Sequence, residues 1–232
     1  MKQRTKFFLT RFGPLLLSFV VFVMVYVIGG QLYPAMQKPQ VFFNFFINDA
    51  SLLCVSVGMT MVILTGGIDL SVGGIIALIS AASAVMLREG ANPYLVIPLM
   101  VLLGTSLGFV QGWIISDLKV QPFIATLMGL FFARGMAYII TLASVPIKDP
   151  IYMKIALTPV HIPLFEKAYV YLTTLVGPIL LIVAIYISYF TRFGRNIYAI
   201  GSNEQSAMLM GLPVRRTKIL VYTLNGFCSA LA

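Results

Sequence analysis

The sequence predicts an all-α fold, a polytopic bundle of membrane-spanning helices. Two observations carry this. Apolar residues make up 59% of the 232 positions and charged residues only 10%, whereas a soluble domain carries about a quarter charged residues. Apolar runs near the length that crosses a bilayer, about 20 residues, also recur from end to end. The seven acidic residues cannot solvate a surface of this size, so the surrounding solvent is lipid. The net charge of +9 does not indicate a nucleic-acid partner, because the basic residues sit between apolar runs and not along one face. Cys54 and Cys228 lie inside apolar runs and read as small buried hydrophobes.

The first expected span is Phe12–Leu32, preceded by Lys2, Arg4, Lys6 and Arg11. It is too long for a signal-peptide core and lacks a small-x-small cleavage site, so it reads as a retained helix. The second reaches from near Val41 to Leu64. Asn44, Asn48 and Asp49 place the start of its fully apolar part near Ala50. The third is Val72–Leu87, the fourth Tyr94–Ile115 and the fifth Pro122–Leu142. A polar, proline-containing loop, Ala143–Ala168, leads to the sixth, Tyr169–Phe190. After a basic segment, Thr191–Lys218, a seventh begins near Ile219. Its 14 residues to Ala232 amount to about 21 Å of helix, short of a roughly 30 Å hydrocarbon core. The expectation is about six complete spans plus a truncated seventh, in a single transmembrane domain, residues 1–232, that is a fragment of a longer protein.

Orientation follows from the basic residues. With the N-terminus cytoplasmic, the inner segments hold Lys2, Arg4, Lys6, Arg11, Lys119, Arg192, Arg195, Arg215, Arg216 and Lys218. The outer segments hold Lys38, Arg88, Lys148, Lys154 and Lys167. The excess favours a cytoplasmic N-terminus.

The strongest local signal is Gly66-Gly67-Ile68-Asp69-Leu70-Ser71-Val72-Gly73-Gly74. It is either an ordinary turn or non-helical backbone lining a cavity within the protein. The short apolar segments on either side, and the absence of Lys or Arg, favour the second. The short-helix argument places Asp69 nearer the inner edge. Arg134 lies within the fifth span, where a lipid-facing arginine costs about 2.5–3.5 kcal/mol. It needs a partner or a wet cavity, and Asp69, backbone carbonyls and water are the candidates. Gly104, Gly108 and Gly112 recur by fours on one face of the fourth span and suit close helix packing inside the chain. Between the basic flanks, Asn203 can cap a short helix with Glu204 in its first turn. Gly211 can end that helix and Pro213 prevents its continuation. Ala207 is small enough to let another protein approach.

The run Gly58–Gly73, GMTMVILTGGIDLSVG, resembles the hallmark of the ribose/xylose/galactoside class of ABC-transporter permeases. Pro122-Phe123-Ile124-Ala125-Thr126-Leu127 followed by Ala133-Arg134-Gly135 resembles the same class, as do Thr191–Arg195, Tyr198–Glu204, Ala207, Gly211 and Lys218. Ser144–Ile147, Pro150–Tyr152 and Leu209–Gly211 look most like the galactofuranose-type sugar permease. Members of the class are longer at the C-terminus, where a glycine-rich motif stands.

The resemblance implies a multi-pass subunit of the bacterial inner membrane that moves a monosaccharide by alternating access. Its implied partners are a separate ABC ATPase subunit, which uses ATP and Mg, a second permease chain, a periplasmic sugar-binding protein and membrane lipid. The chain itself is expected to hold no cofactor, no metal and no catalytic residue. It contains no G-x-x-x-x-G-K-[ST] phosphate loop. Its one histidine, His161, has no cysteine or second histidine as a metal partner. Gly66, Gly67, Asp69, Ser71, Gly73 and Arg134 are the candidates for the translocation path or its architecture. Gly201, Asn203, Glu204, Ala207 and Gly211 are the candidates for ATPase docking. The outer loop 143–168, with Lys148, Asp149, Lys154, Glu166 and Lys167, is the candidate for docking the binding protein.

Two rivals remain at this stage. An ion-coupled secondary transporter would use Asp69 and Arg134 as its coupling charges. An intramembrane enzyme would need a catalytic pair at depth, and Asp69 has no second carboxylate in the expected membrane core.

Overall fold

The protein is described by a computed structural model covering residues 2–163 and 168–232. The chain divides into two compact units. The first comprises residues up to Ile47 together with His161–Val170. It contains helix α1 (Lys2–Leu32) and most of α2 (Pro39–Asn48). Aromatic rings join these helices, with Tyr26 edge-on to Phe42 and to Phe45, each at 6.1 Å. Gln40 then fixes a strand of the same unit. Its Nε2 donates to the Tyr169 carbonyl at 3.1 Å, and the Tyr169 N–H donates to its Oε1 at 2.9 Å.

The second unit is helical: α3 (Ala50–Leu64), α4 (Val72–Arg88), α5 (Pro93–Asp117), α6 (Pro122–Ile140), α7 (Pro150–Leu157), α8 (Val176–Phe190), α9 (Arg192–Ser202), α10 (Glu204–Leu209) and α11 (Val214–Leu231). Local chemistry sets many of these limits. Prolines open α5, α6 and α7, where a missing N–H costs nothing. Asn92 accepts from Tyr94 N–H at 2.9 Å and Asp149 from Tyr152 N–H at 2.8 Å, and both cap a helix start.

Helix α11 is the centre of this unit. Its broadest contact is with α5 and its next with α3, while α4 packs chiefly on α6. The α5–α11 seam is made of glycines, as the spacing by fours suggests. A Cβ on Gly104 would come within 2.7 Å of Ala230 Cβ, and one on Gly112 within 2.9 Å of Ile219 Cα. Gly108 faces Gly226, with room for backbone only.

Several boundaries differ from expectation. The second apolar run is broken at Asp49, so α3 starts at Ala50, where the apolar part was placed. The loop 143–168 contains α7 and a strand, β1 (Pro159–His161), which pairs with β2 (Tyr169–Tyr171) just beyond it. The run read as starting at Tyr169 therefore begins as strand and becomes helical only at Leu172. Its proline and cap residues built a helix inside a segment that polarity marked as loop. The basic segment folds as α9 and α10. The last helix begins at Val214, not Ile219, because Arg215, Arg216 and Lys218 are good helix formers. Glu166 and Lys167 lie outside the described residues.

Among the described residues, three helices are long and apolar enough to cross a membrane, or four if α2 and α3 are counted as one broken span.

Candidate functional site

The site grows from the way α3 ends. Thr65 is the last half-helical residue, and Gly66 follows at φ +76°, a conformation that favours glycine. Gly66 N–H donates to the Ile63 carbonyl at 2.9 Å and Gly67 N–H to the Val62 carbonyl at 3.1 Å. This pair of bonds is the Schellman stop. The chain then runs non-helical to Ser71, and side chains alternate. Ile68 and Leu70 are exposed, while Asp69 and Ser71 are 1% and 0% exposed. α4 begins immediately after.

Asp69 is held by three donors. Its Oδ1 accepts from Ser71 N–H at 2.8 Å and from Ser71 Oγ–H at 2.6 Å. Its Oδ2 accepts from Asn225 Nδ2 on α11 at 2.7 Å. The carboxylate also sits at the N-terminal end of α4, where the helix dipole favours negative charge. These interactions offset burial of a charge that has no cationic partner among the described residues. Ser71 Oγ lies 3.0 Å from Gln111 Oε1 on α5. A hydroxyl has one proton, which the carboxylate takes. With its amide turned the other way, Gln111 donates to Ser71 Oγ and completes the chain. Tyr222, one turn before Asn225, donates its hydroxyl to the Ile68 carbonyl at 3.2 Å.

Close approach is part of the construction. A Cβ on Gly67 would lie 2.6 Å from Tyr222 Oη, and one on Gly74 2.9 Å from the Leu130 carbonyl of α6. Gly73 faces open space. Asn225 Oδ1 is buried without a donor among the described residues and points at Gly58 of α3.

The sequence reading placed Asp69 near the inner edge of the bundle. The structure sets it beside Asn225, eleven residues into α11 from Val214, about 16 Å along that helix. Gly66–Ser71 turns back along α3, so that Asp69 and Gly58 of α3 meet the same Asn225. Arg134 is exposed on α6 and forms no ion pair among the described residues. A direct Asp69–Arg134 pair is not made. Asn225, Gln111 and Tyr222 escaped sequence reading, although a lone amide in each of two apolar runs was a usable signal.

The second group of candidates lies at the other end of α11. Asn203 Oδ1 accepts from Ser206 N–H at 2.8 Å and caps α10. Gly211, at φ +76°, ends it with the same pair of bonds, Gly211 N–H to Met208 at 3.0 Å and Leu212 N–H to Ala207 at 3.1 Å. Gly201 packs its Cα against the Leu64 carbonyl. Glu204 accepts from Lys218 Nζ at 2.6 Å. Ala207 does not offer the outward notch expected of it. It is 0% exposed and packs with Ile200, Val214 and Leu212. Met208, Leu209 and Met210 are exposed instead, Leu209 by 89%. Beside them opens a cavity of about 440 Å³ lined by Lys119, Gln121, Glu204, Met208, Arg215 and Lys218 among others.

His161 is exposed, both cysteines are buried and free, and no group of potential metal ligands occurs among the described residues.

Residues 41–232 match the family of permease components of the branched-chain amino acid transport system. The chain is 37% identical to the inner membrane ABC transporter permease protein YjfF of Escherichia coli, over 94% of this chain and 66% of that relative. It is 36% identical to the fructose import permease protein FruG of Bifidobacterium longum, with the same coverage. It is also 36% identical to the ribose import permease protein RbsC of Bacillus subtilis, over 96% of this chain and 66% of the relative. The chain thus spans just under two thirds of the length of these curated relatives. No solved structure matches it.

Proposed function

We propose that this chain, which belongs to the family of permease components of the branched-chain amino acid transport system, is part of the membrane-spanning subunit of an ABC importer for a monosaccharide. The sugar class rests on the relatives named for ribose and fructose import. The subunit lies in the bacterial inner membrane with its N-terminus in the cytoplasm and about six spans within these residues. It moves its substrate by alternating access and performs no covalent chemistry. ATP and Mg are used by a separate ATPase subunit. A second permease chain and a periplasmic sugar-binding protein complete the importer, and the segment carrying Lys148, Asp149 and Lys154 is the surface offered to the binding protein. The outer side of the glycine break, Ile68, Leu70 and Gly73, with the exposed face of Arg134, is offered to the translocation path.

The observation that carries this reading is α10. Its inner side is sealed by Ala207, both of its ends are capped, and it presents Met208, Leu209 and Met210 beside charged residues. An apolar edge held rigidly on such a stub suits a protein partner, here the ATPase. The ion-coupled alternative has no support, since Ser71 and Asn225 occupy Asp69 and Arg134 stands apart from it.

The test is uptake of labelled monosaccharides by the full-length protein, reconstituted with the ATPase and binding protein encoded beside it. The expected result is uptake that requires ATP and is lost with Leu209→Asp. Uptake driven by an ion gradient without the ATPase would overturn the reading.

A further inference from the structure

We propose that Asn225 is a positioning residue through which α11 transmits movement of α10 to the glycine break and the start of α4; this rests on the permease reading above.

The argument starts from the cost of the residue. Asn225 is fully buried in a helix whose neighbours are largely apolar, and only one half of its amide is satisfied. A buried, half-satisfied amide is a poor adhesive, because an unpartnered oxygen offsets much of what the bond contributes. Its bond is spent on Asp69 Oδ2 and not on α3, where the amide oxygen only meets Gly58. What the amide supplies is direction: it fixes one atom of Asp69, and Asp69 fixes Ser71, the residue before the first turn of α4. Residues 67–71 have no helical ladder of their own. Their position is therefore set by what holds them, and two of those holds, Tyr222 and Asn225, come from α11.

The other end of α11 is fixed to the proposed ATPase platform. Lys218 binds Glu204 at 2.6 Å, and Val214 packs against Ala207. Arg215 binds Asp117 at the end of α5, 2.7 Å away and on the exposed side. One continuous helix thus joins α10 to the break. The α5–α11 seam of Gly104, Gly108, Gly112 and Gly226 has few interlocking side chains, the kind of surface along which packed helices shift in small sliding steps.

The full-length permease, with its ATPase and binding protein in proteoliposomes, tests this through sugar moved per ATP hydrolysed. A purely structural role would lower the yield of assembled complex and leave that ratio unchanged. Asn225→Asp sets a second carboxylate against Asp69. It is expected to keep the ATPase bound and lower the ratio about tenfold, with the exchanged pair Asp69→Asn/Asn225→Asp recovering most of it, as coupled neighbours do. A wild-type ratio in Asn225→Asp, or no recovery in the exchanged pair, overturns the proposal. Should Asn225→Asp not assemble, Asn225→Ala is read instead; a lowered ratio supports the proposal and a wild-type ratio overturns it. A wild-type complex that moves no sugar with ATP refutes the permease reading itself, which is a separate result.

Discussion

Gly66–Ser71 and Asn203–Gly211 use the same local parts in opposite surroundings. Each has a glycine at φ +76° that closes a Schellman stop, and each has an Asx side chain accepting a backbone N–H at a helix start. In the first, the Asx residue is 1% exposed and its remaining bonds come from the Ser71 hydroxyl and Asn225, with Ser71 linked onward to Gln111. In the second, the Asx residue is exposed, and apart from one ion pair the α10 turn is held by backbone bonds and a small apolar cluster. Identical caps therefore carry different burdens. At the surface, water replaces a lost bond. In the core nothing does, and each lost bond leaves a stranded partner.

Removing the Asx side chain on each side measures that difference. Asp69→Ala strands the Asn225 amide and the Ser71 backbone N–H together, while the Ser71 hydroxyl turns to Gln111 Oε1, and should cost about 3 kcal/mol or more. Thermal unfolding of the solubilised protein would read this as a large drop in Tm. A loss no greater than that of Asn203→Ala would show that water reaches the break and that the two regions are alike.

Glycine replacement is the next largest effect. Gly67→Ala places a methyl 2.6 Å from the Tyr222 hydroxyl and 3.4 Å from the Val62 carbonyl, so something must move, at about 2 kcal/mol for overpacking. Gly73→Ala meets open space and, within a helix, should be neutral or slightly stabilising. Equal melting temperatures for the two variants would contradict the packing described for Tyr222.

These contrasts also show what the sequence could tell. The glycine break, its lack of regular helix and the short helices beside it were legible, because glycine pairs and an aspartate between apolar runs leave few alternatives. The close-packing role of Gly104, Gly108 and Gly112 was legible from spacing alone. Depth was not. That Gly66–Ser71 folds back along α3 depends on Tyr222 and Asn225, more than 150 residues away, and no local pattern encodes that pairing. Ala207 was misread in direction, because a small residue in a short helix suits an outward notch and an inward contact equally. Its burial is decided by Ile200 and Val214.

At the Asn203–Gly211 turn the expected effects are smaller. Asn203→Ala removes a cap from an exposed helix and should cost about 1 kcal/mol. Because α10 carries Met208, Leu209 and Met210, the sharper readout is ATPase co-purification, which should fall further than Tm does. A cap loss that left co-purification at the wild-type level would detach α10 from the docking role.

The Glu204–Lys218 pair is expected to contribute least to stability. The Glu204 side chain is 46% exposed and that of Lys218 16%, so water screens one partner and the lysine stem is partly covered by its surroundings. Exposed pairs contribute about 0.2–1 kcal/mol, and Glu204→Gln retains a group that can still accept from Lys218. The expected loss is therefore at the low end of that range. It should also shrink with salt, since charges beyond the roughly 3 Å screening length of 1 M salt are largely uncoupled, whereas a contact pair keeps only its hydrogen bond. Melting curves of wild type and Glu204→Gln, taken at low and high salt, should converge as salt rises. The same pair of curves for Asp69→Ala should stay apart, because its lost bonds lie in the core where ions do not reach. If Glu204→Gln were as costly as Asp69→Ala and insensitive to salt, α10 would be bound to α11 as tightly as the break is. The distinction between a buried network and a surface one would then fail at this end of the helix.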